Sequence, residues 1–538
     1  MFLAHWNAFM KKSPPLPLLA AACCLLFTFV AAAAETNWPM AAGPNGSWTA
    51  PGDAPVKWSV TTGKNIRWRT TLPEGGQSGI AVWGDRLFLT INRPLSDGTK
   101  IAQGADIVGY CLDANNGRVL WTVPLPGTKV MQHTGLFSDA TSPTPIADAQ
   151  HVWFTNACGM MGCWDHQGNK VWTRKFETRT RHNAKQCEPM LVGDWILHVE
   201  MRDADDPKRR PMKAKKGQRN SPPKLWPWTF VRAFDRKTGK AVWTADAGTS
   251  IHNTPCHGIV DGRPVLFHGR GGGHRPPETP YGFSLTSLAK ENAGKTLWDY
   301  PSKAGMAFFV AHFDAKHAYC FEPHVLTLLD IKTGKLLKRI PLDDRADVRH
   351  FDKKAGKYVA RLNVVFPDAK SSHYRSHPTN QANLIYRGRC YFMSFVGRWL
   401  VRVNLESGHV ERLQVPVQVQ HPQGQTAKWI WHKHLPADTK NSRGMQIAPD
   451  RRARGDGWGH VTAASPIAIG ERIYFTTMLG TTYVLDAKAK VWDERALLAV
   501  NDLGPAGKTW SLAGLSYAGG RLYQRSLKEV VCIGGTSK

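Results

Sequence analysis

The chain has 538 residues, a formal net charge of +28, 42% hydrophobic and 10% aromatic residues. No apolar run after residue 34 is long enough to cross a bilayer, which excludes a protein of membrane-spanning helices. There is no Cys-x-x-Cys-His, so no attached c-type haem is indicated.

Lys11 and Lys12 precede an apolar stretch, 16–30, that ends in Ala32-Ala33-Ala34 before Glu35. This order reads as a secretory signal cleaved after Ala34, giving an exported, periplasmic location. Cys23 is not preceded by a good lipoprotein cleavage pattern, which leaves a lipid anchor as the minor alternative. The expected division is a signal peptide over 1–34, a lead-in segment over 35–65 and one repeat domain over 66–538.

The repeat shows first in "IRWRTTLP" (66–73) and then in "CLDANNGRVLWTVPLP" (111–126), each with a tryptophan four residues ahead of Leu-Pro. The longer stretch is two short strands and their turn. Asp113 caps backbone two residues on, Gly117 supplies a φ > 0 position, and Trp121 falls on the second strand. The spacing returns as Asp235, Gly239, Trp243 and, one residue short, as Asp165, Gly168, Trp172. Gly294 and Trp298 keep its second half. Asp330–Gly334 and Asn404–Gly408 keep its first, with Lys338 and Arg412 in the tryptophan's place. Asp486 and Trp492 make a compressed copy without the glycine.

Ahead of the turns lie paired strand-like runs such as 79–90, 144–156, 188–199, 383–394 and 465–477, each broken by a Gly, Asp or Asn turn. Units of four short antiparallel strands at a period near 40–50 residues indicate an all-β fold, a β-propeller. Outer strands near Trp121, Trp172, Trp243, Trp298, Lys338, Arg412 and Trp492 make seven blades. After Trp492 the chain holds three more strands and stops, so the orphan edge at 66–72 is expected to supply the missing fourth. The expected architecture is an eight-bladed β-propeller closed by an N-terminal outer strand, its tryptophans packed at the blade seams.

Four polar, histidine-bearing loops feed innermost strands: 182–189, 252–257, 376–383 and 459–466. In a propeller such loops converge on one mouth of the central channel. His182, Asn183, Glu188, His252, Asn253, His377, Asn380 and His460 are therefore the candidate ligand-binding residues. Histidine with carboxylate suits metal binding or acid–base work near neutral pH. The competing reading is that propeller mouths are polar and these groups satisfy loop backbone. His432 and His434, within a long insertion over about 416–461, form a weaker metal candidate. Cys158 and Cys163 flank a turn, which leaves a disulfide or two thiols open; the other cysteines sit in strand patterns as small hydrophobes. The run 207–224 carries eight Lys or Arg and no acid, interrupting the third blade between its middle strands. It favours a solvated basic loop, or attraction to anionic polysaccharide, lipid headgroups or an acidic protein, over nucleic acid in an exported chain.

The spacing in "LDANNGRVLW" and "FDRKTGKAVW" resembles the tryptophan-docking repeat of quinoprotein (PQQ-type) eight-bladed propellers. "NWPMAAGPNGS" followed by "IRWRTTLPEGGQSGIAVWGDRLFLT" resembles exported PQQ-like repeat proteins of planctomycete-type bacteria. The resemblance covers nearly all of the mature chain and implies the fold. Within it lie both quinone-dependent alcohol dehydrogenases and the non-catalytic propeller of the outer-membrane barrel-assembly machinery. The dehydrogenases hold the quinone under a disulfide of adjacent cysteines, with Glu and Asn on calcium and an aspartate base. The only adjacent cysteines here, Cys23-Cys24, leave with the signal peptide, and no motif carries over the calcium ligands or the base. The favoured expectation is an exported, non-catalytic propeller that binds or scaffolds a protein or cell-envelope macromolecule, with no cofactor. The alternative is an oxidoreductase using PQQ and calcium on an alcohol or sugar.

Overall fold

The middle strands of this chain are apolar on both faces, whereas the outer ones alternate. Arg86–Asn92 is buried at every position after the first, while Lys170–Lys175 buries no residue and is exposed at every other position from Val171. Such a gradient arises when small twisted sheets stand side by side around an axis, so that each middle strand lies between two neighbouring sheets. The computed structural model describes residues 37–93, 105–130, 139–178, 188–201, 229–272, 280–302, 307–366, 378–394, 398–431, 433–448, 453 and 464–534. The expected signal peptide and the basic run 207–224 lie outside them.

The described residues form eight antiparallel blades spanning 81–125, 146–175, 190–244, 256–301, 312–341, 383–414, 467–502 and 516–533. The last contributes three strands, and Ile66–Thr71 pairs with Glu529–Ile533 as its fourth (Trp68 opposite Cys532). The fold is thus an eight-bladed β-propeller whose ring is closed by an N-terminal outer strand.

The repeated spacing is a device for joining blades. Each Asp-to-Gly turn is capped within its own blade: Asp113 Oδ1 accepts the Asn115 N–H, and the Gly117 N–H donates to Asp113 O at 2.8 Å. The tryptophan comes from the blade before. Trp68 lies over Gly117, Trp121 over Gly168, Trp172 over Gly239, Trp243 over Gly294 and Trp298 over Gly334. At each of these glycines a Cβ would come within 3.0 Å of the indole, and φ lies between 68° and 89°. Glycine is therefore demanded twice, by handedness and by contact. Four of the five indoles also donate to the facing turn: Trp68 to Ala114 O, Trp121 to His166 O, Trp172 to Arg236 O and Trp298 to Ile331 O, at 2.8–3.1 Å. Burying such a ring removes roughly 150–250 Å² from water, an upper bound of roughly 4–6 kcal/mol per seam at about 25 cal/mol/Å².

The departures from the repeat have their own geometry. Lys338 keeps the seam polar, its ammonium donating to Leu405 O and Glu406 O beside Gly408. Arg412 is not on an outermost strand: Ala346–Asp352 pairs with Val410–Gln414 in parallel, and Lys357–Val364 pairs onto Ala346–Asp352. Trp492 precedes its blade's outer strand, Leu497–Asp502, and reaches back to blade six, donating to Leu400 O at 3.0 Å. The disulfide left open between Cys158 and Cys163 is not made. Cys158 stands in the turn after His151–Asn156, whereas Cys163 is a free thiol three residues into the next strand, paired with Trp153.

Truncating Trp68 tests whether this docking closes the ring. Trp68→Ala should lower unfolding free energy in urea by roughly 3–5 kcal/mol. Trp429→Ala, at a half-exposed ring, should change it by less than about 1 kcal/mol. Equal costs would mean the seam indole does not hold the ring shut.

Candidate functional site: the mouth of the central channel

Two parts of the chain meet at the axis. From the end where innermost strands exit comes the segment 37–50. Asn37 Oδ1 accepts the N–H of Gly84 at 2.8 Å, and Ala50 O accepts that of Gly470 at 3.0 Å; both glycines lie in exit turns. The segment then touches one inner strand after another. Trp38 bridges Val82, Pro39 O accepts the Ala147 N–H, the Cys256 thiol reaches Gly46 O, and Trp48 O accepts the Ala468 N–H. Trp48, held at φ 59°, sets its ring edge-on to His312 with centroids 5.4 Å apart. Trp38 and Trp48 are buried. The lead-in is a plug.

At the other end stand the loops that feed the innermost strands, and the described residues include much of their floor. A cavity of about 30 Å³, room for one or two waters, is lined there by Trp48, Gly79, Thr144, Glu188, Thr254 and Ser516 among others. Among the described residues, polar side chains tie the feeder loops of blades one to three together and those of blades four to six together. Glu188 Oε2 accepts the Thr144 N–H at 2.7 Å, and Thr144 Oγ1 accepts that of Gly79 at 3.0 Å. Asn253 donates to Phe309 O and accepts from the Gly269 N–H; Asn383 accepts from the Val310 N–H and donates to Val310 O. Gln381 holds both Thr254 Oγ1 and His252 O.

Of the eight candidate ligand residues, Glu188, His252, Asn253 and Asn380 are described, and all four are buried. Glu188 lines the cavity, Asn253 is engaged by backbone on both sides of its amide, and His252 stacks on Phe308 at 4.5 Å and 12°. His182, Asn183, His377 and His460 lie outside the described residues, as does His432. Among the described residues no trio of His, Cys, Asp or Glu stands close enough to share a metal ion.

Sequence reasoning missed a second buried polar group beside blades one, two and eight. The Arg525 guanidinium, 1% exposed, donates through Nη1 to Ser78 Oγ and Thr90 O, while Nε and Nη2 find no partner. Burial pushes it down to about 10, opposed by the charge of Asp139. Asp139 accepts from Thr141 N–H and O–H; Glu74, fully buried, accepts from the Gly75 N–H and the Asn441 amide, with Arg443 at 3.4 Å. Only the odd placement of an arginine inside the apolar alternation "RLYQRSL" (521–527) could have signalled this cluster.

A metal-held quinone would ask for a carboxylate cluster, a pair of adjacent thiols and space for a three-ring acid. Among the described residues neither a metal-holding carboxylate cluster nor a pair of adjacent thiols is present.

The architecture has known counterparts. Quinohemoprotein alcohol dehydrogenase from Comamonas testosteroni is 12% identical over 94% of this chain and 81% of its own, with a TM-score of 0.51. BamB from Moraxella catarrhalis is 11% identical over 86% of this chain and 96% of its own, with a TM-score of 0.44. A europium-containing methanol dehydrogenase is 11% identical over 91% of this chain and 89% of its own, at 0.46. With the quinohemoprotein alcohol dehydrogenase the ring shares its eight-bladed propeller architecture, a likeness of fold alone. No protein-family model matches the sequence, nor does any curated protein.

Three buried histidines set an expected pH dependence. Burial drives His198 down to about 3, and His268 and His312 to about 4. Unfolded, each would take up a proton near pH 6.5. The unfolded chain thus binds more protons below that pH, and stability is present above it and lost as pH falls toward 4. The melting temperature should drop between pH 6.5 and 5, and His312→Gln should flatten that drop. A melting temperature constant from pH 7 to 5 would contradict the burial of these rings as neutral groups.

Proposed function

We propose that the protein is an exported, non-catalytic propeller that binds or scaffolds a protein or another cell-envelope macromolecule. The observation that carries this reading is the filled channel. A plug enters from one end, and at the other the described parts of the feeder loops are tied to one another within blades one to three and within blades four to six. The polar groups there are occupied in holding backbone, so none of the described ones is arranged as nucleophile and base with room for a reacting atom. Recognition then falls to the broad faces and rim, where a basic chain attracts acidic partners. Export rests on the leader over 1–34, and the basic run 207–224 offers anionic polysaccharide a further contact. The other reading, a PQQ- and calcium-dependent oxidoreductase, draws on the class of the fold alone and is not supported by the described residues. The eight mouth residues named from sequence remain the place where a small ligand would bind.

The experiment is a titration of purified mature protein with PQQ and calcium, read by absorbance after gel filtration and by dye reduction with alcohols and sugars. The expected result is no retained chromophore and no turnover. One quinone retained per chain, with substrate-dependent dye reduction, would replace the binding reading with the enzymatic one.

A further inference from the structure

The sheet of blade six runs on past its fourth strand. Ala346–Asp352 adds to it in parallel, Ala346 opposite Val410, and Lys357–Val364 adds antiparallel to that, giving six strands with Lys357–Val364 at the end. Among the described residues no strand pairs with its outer side. Five of its eight residues are exposed. Among the described residues no side-chain hydrogen bond from it reaches another blade; the Tyr358 hydroxyl donates to Gln414 O in its own sheet. Its outward N–H and C=O groups are a template for one more strand.

The chemistry along the strand is one-sided. Residues 353–366 contain Lys353, Lys354, Lys357 and Arg361 and no acid. Acids behind the strand are engaged: Asp347 accepts from the Asn363 N–H and the His409 ring, and Asp352 from the turn amides of Lys354 and Ala355. Lys357 and Arg361 lie on the same face at period two, in the regular part of the pairing before the shift between Ala346 and Val348. Beyond them Leu362 and Val365 are 60% and 69% exposed. At the strand's start Tyr358 packs against Trp431, which stacks on Phe351 at 3.9 Å and touches the half-exposed Trp429.

We propose that Lys357–Val364 is a docking edge that accepts an extended, acidic segment of a partner protein as a seventh strand of blade six. Main-chain bonds supply the attachment, as in other strand additions. Carboxylates opposite Lys357 and Arg361 set the register, and Leu362 and Val365 cover apolar side chains at the far end. Charge selects among occupants. A second copy would set the same four cations against these, and like charges directly opposite repel. Lysines and a bulge are the means by which edges avoid their own kind, and they leave an acidic strand acceptable. This inference rests on the binding reading above and specifies its partner's chemistry.

The test uses mature protein and the labelled peptide Glu-Val-Glu-Thr-Glu-Val-Glu-Thr-Glu, followed by fluorescence anisotropy at low salt. Saturable binding is expected, weakened at least tenfold by the double substitution Lys357→Glu with Arg361→Glu, whose melting temperature should match the parent's. The same peptide with Lys for Glu should not bind. A strand bonded along one edge uses alternate amides, so of two peptides N-methylated in opposite phase, one should lose binding and the other keep it. Equal binding of both methylated peptides, equal binding of the Lys peptide, no saturable binding, or a dimer of the parent dissolved by the double substitution would each overturn the proposal. These outcomes are separable from failure of the binding reading. A silent peptide with a silent quinone titration removes only the edge, whereas a retained chromophore removes the binding reading whatever the peptide does.

Discussion

An indole resting on a glycine of the next blade is the contact on which this molecule depends. Neither partner works without the other: the turn needs glycine at positive φ, and the indole needs the missing Cβ. Because tryptophan and glycine sit in different blades, a spacing that looks local in sequence is a bond between neighbours in space. Repeating it at five successive seams makes blades one to four both donor and acceptor. The lone edge bearing Trp68 meets this need: blade eight must present an indole to Gly117, and the three C-terminal strands supply none.

A rigid ring fixes a channel, and here the chain fills it. Trp38 and Trp48 carry the plug, and a ladder of Asn, Gln, Thr and Glu side chains locks the feeder loops above it. A buried polar group without a partner costs free energy, so these groups are fixed in their roles by the backbone they satisfy. Asn253, Asn383 and Glu188 carry the residue types of a binding site, and each also bonds the backbone of a neighbouring segment.

How much of this was legible follows from range. The Asp, Gly and Trp spacing was readable because turn chemistry is local and each element rests on its own short hairpin; the orphan edge at 66–72 followed from counting. The two extra strands of blade six were not readable. Ala346–Asp352 pairs in parallel with a strand some sixty residues later, and no local signal announces such a partner. Trp492 looked like a compressed repeat, yet its direction of docking is set by Leu400 and Tyr391 in the preceding blade. In the feeder loops, Asn253 in sequence is the same letter whether it binds a ligand or a carbonyl, and its two bonds to backbone in neighbouring segments are not announced by any local signal. His182, Asn183, His377 and His460 fall outside the described residues, so the convergence expected of them stands as a proposal.

The exchange of tryptophan for Arg412 and the basic edge beyond it are one change. A ring whose seams are closed by indoles can offer a sheet edge to a partner, without being opened, by extending a blade outward. Once Ala346–Asp352 covers Val410–Gln414, the repeat's docking position becomes interior to a sheet. An indole there would have no turn to meet. Arginine instead donates to Leu342 O and Asp343 at the start of the added segment and lies over Phe366 at its end, 3.8 Å from the ring centroid. The guanidinium is fully buried, and a charge in that position is retained when its partners are held in place. Arg412 thus pins both ends of residues 343–366, and the loss of one seam contact accompanies the gain of a strand that faces outward. Where the repeat breaks its own spacing, the molecule has exchanged a contact within the ring for a surface beyond it.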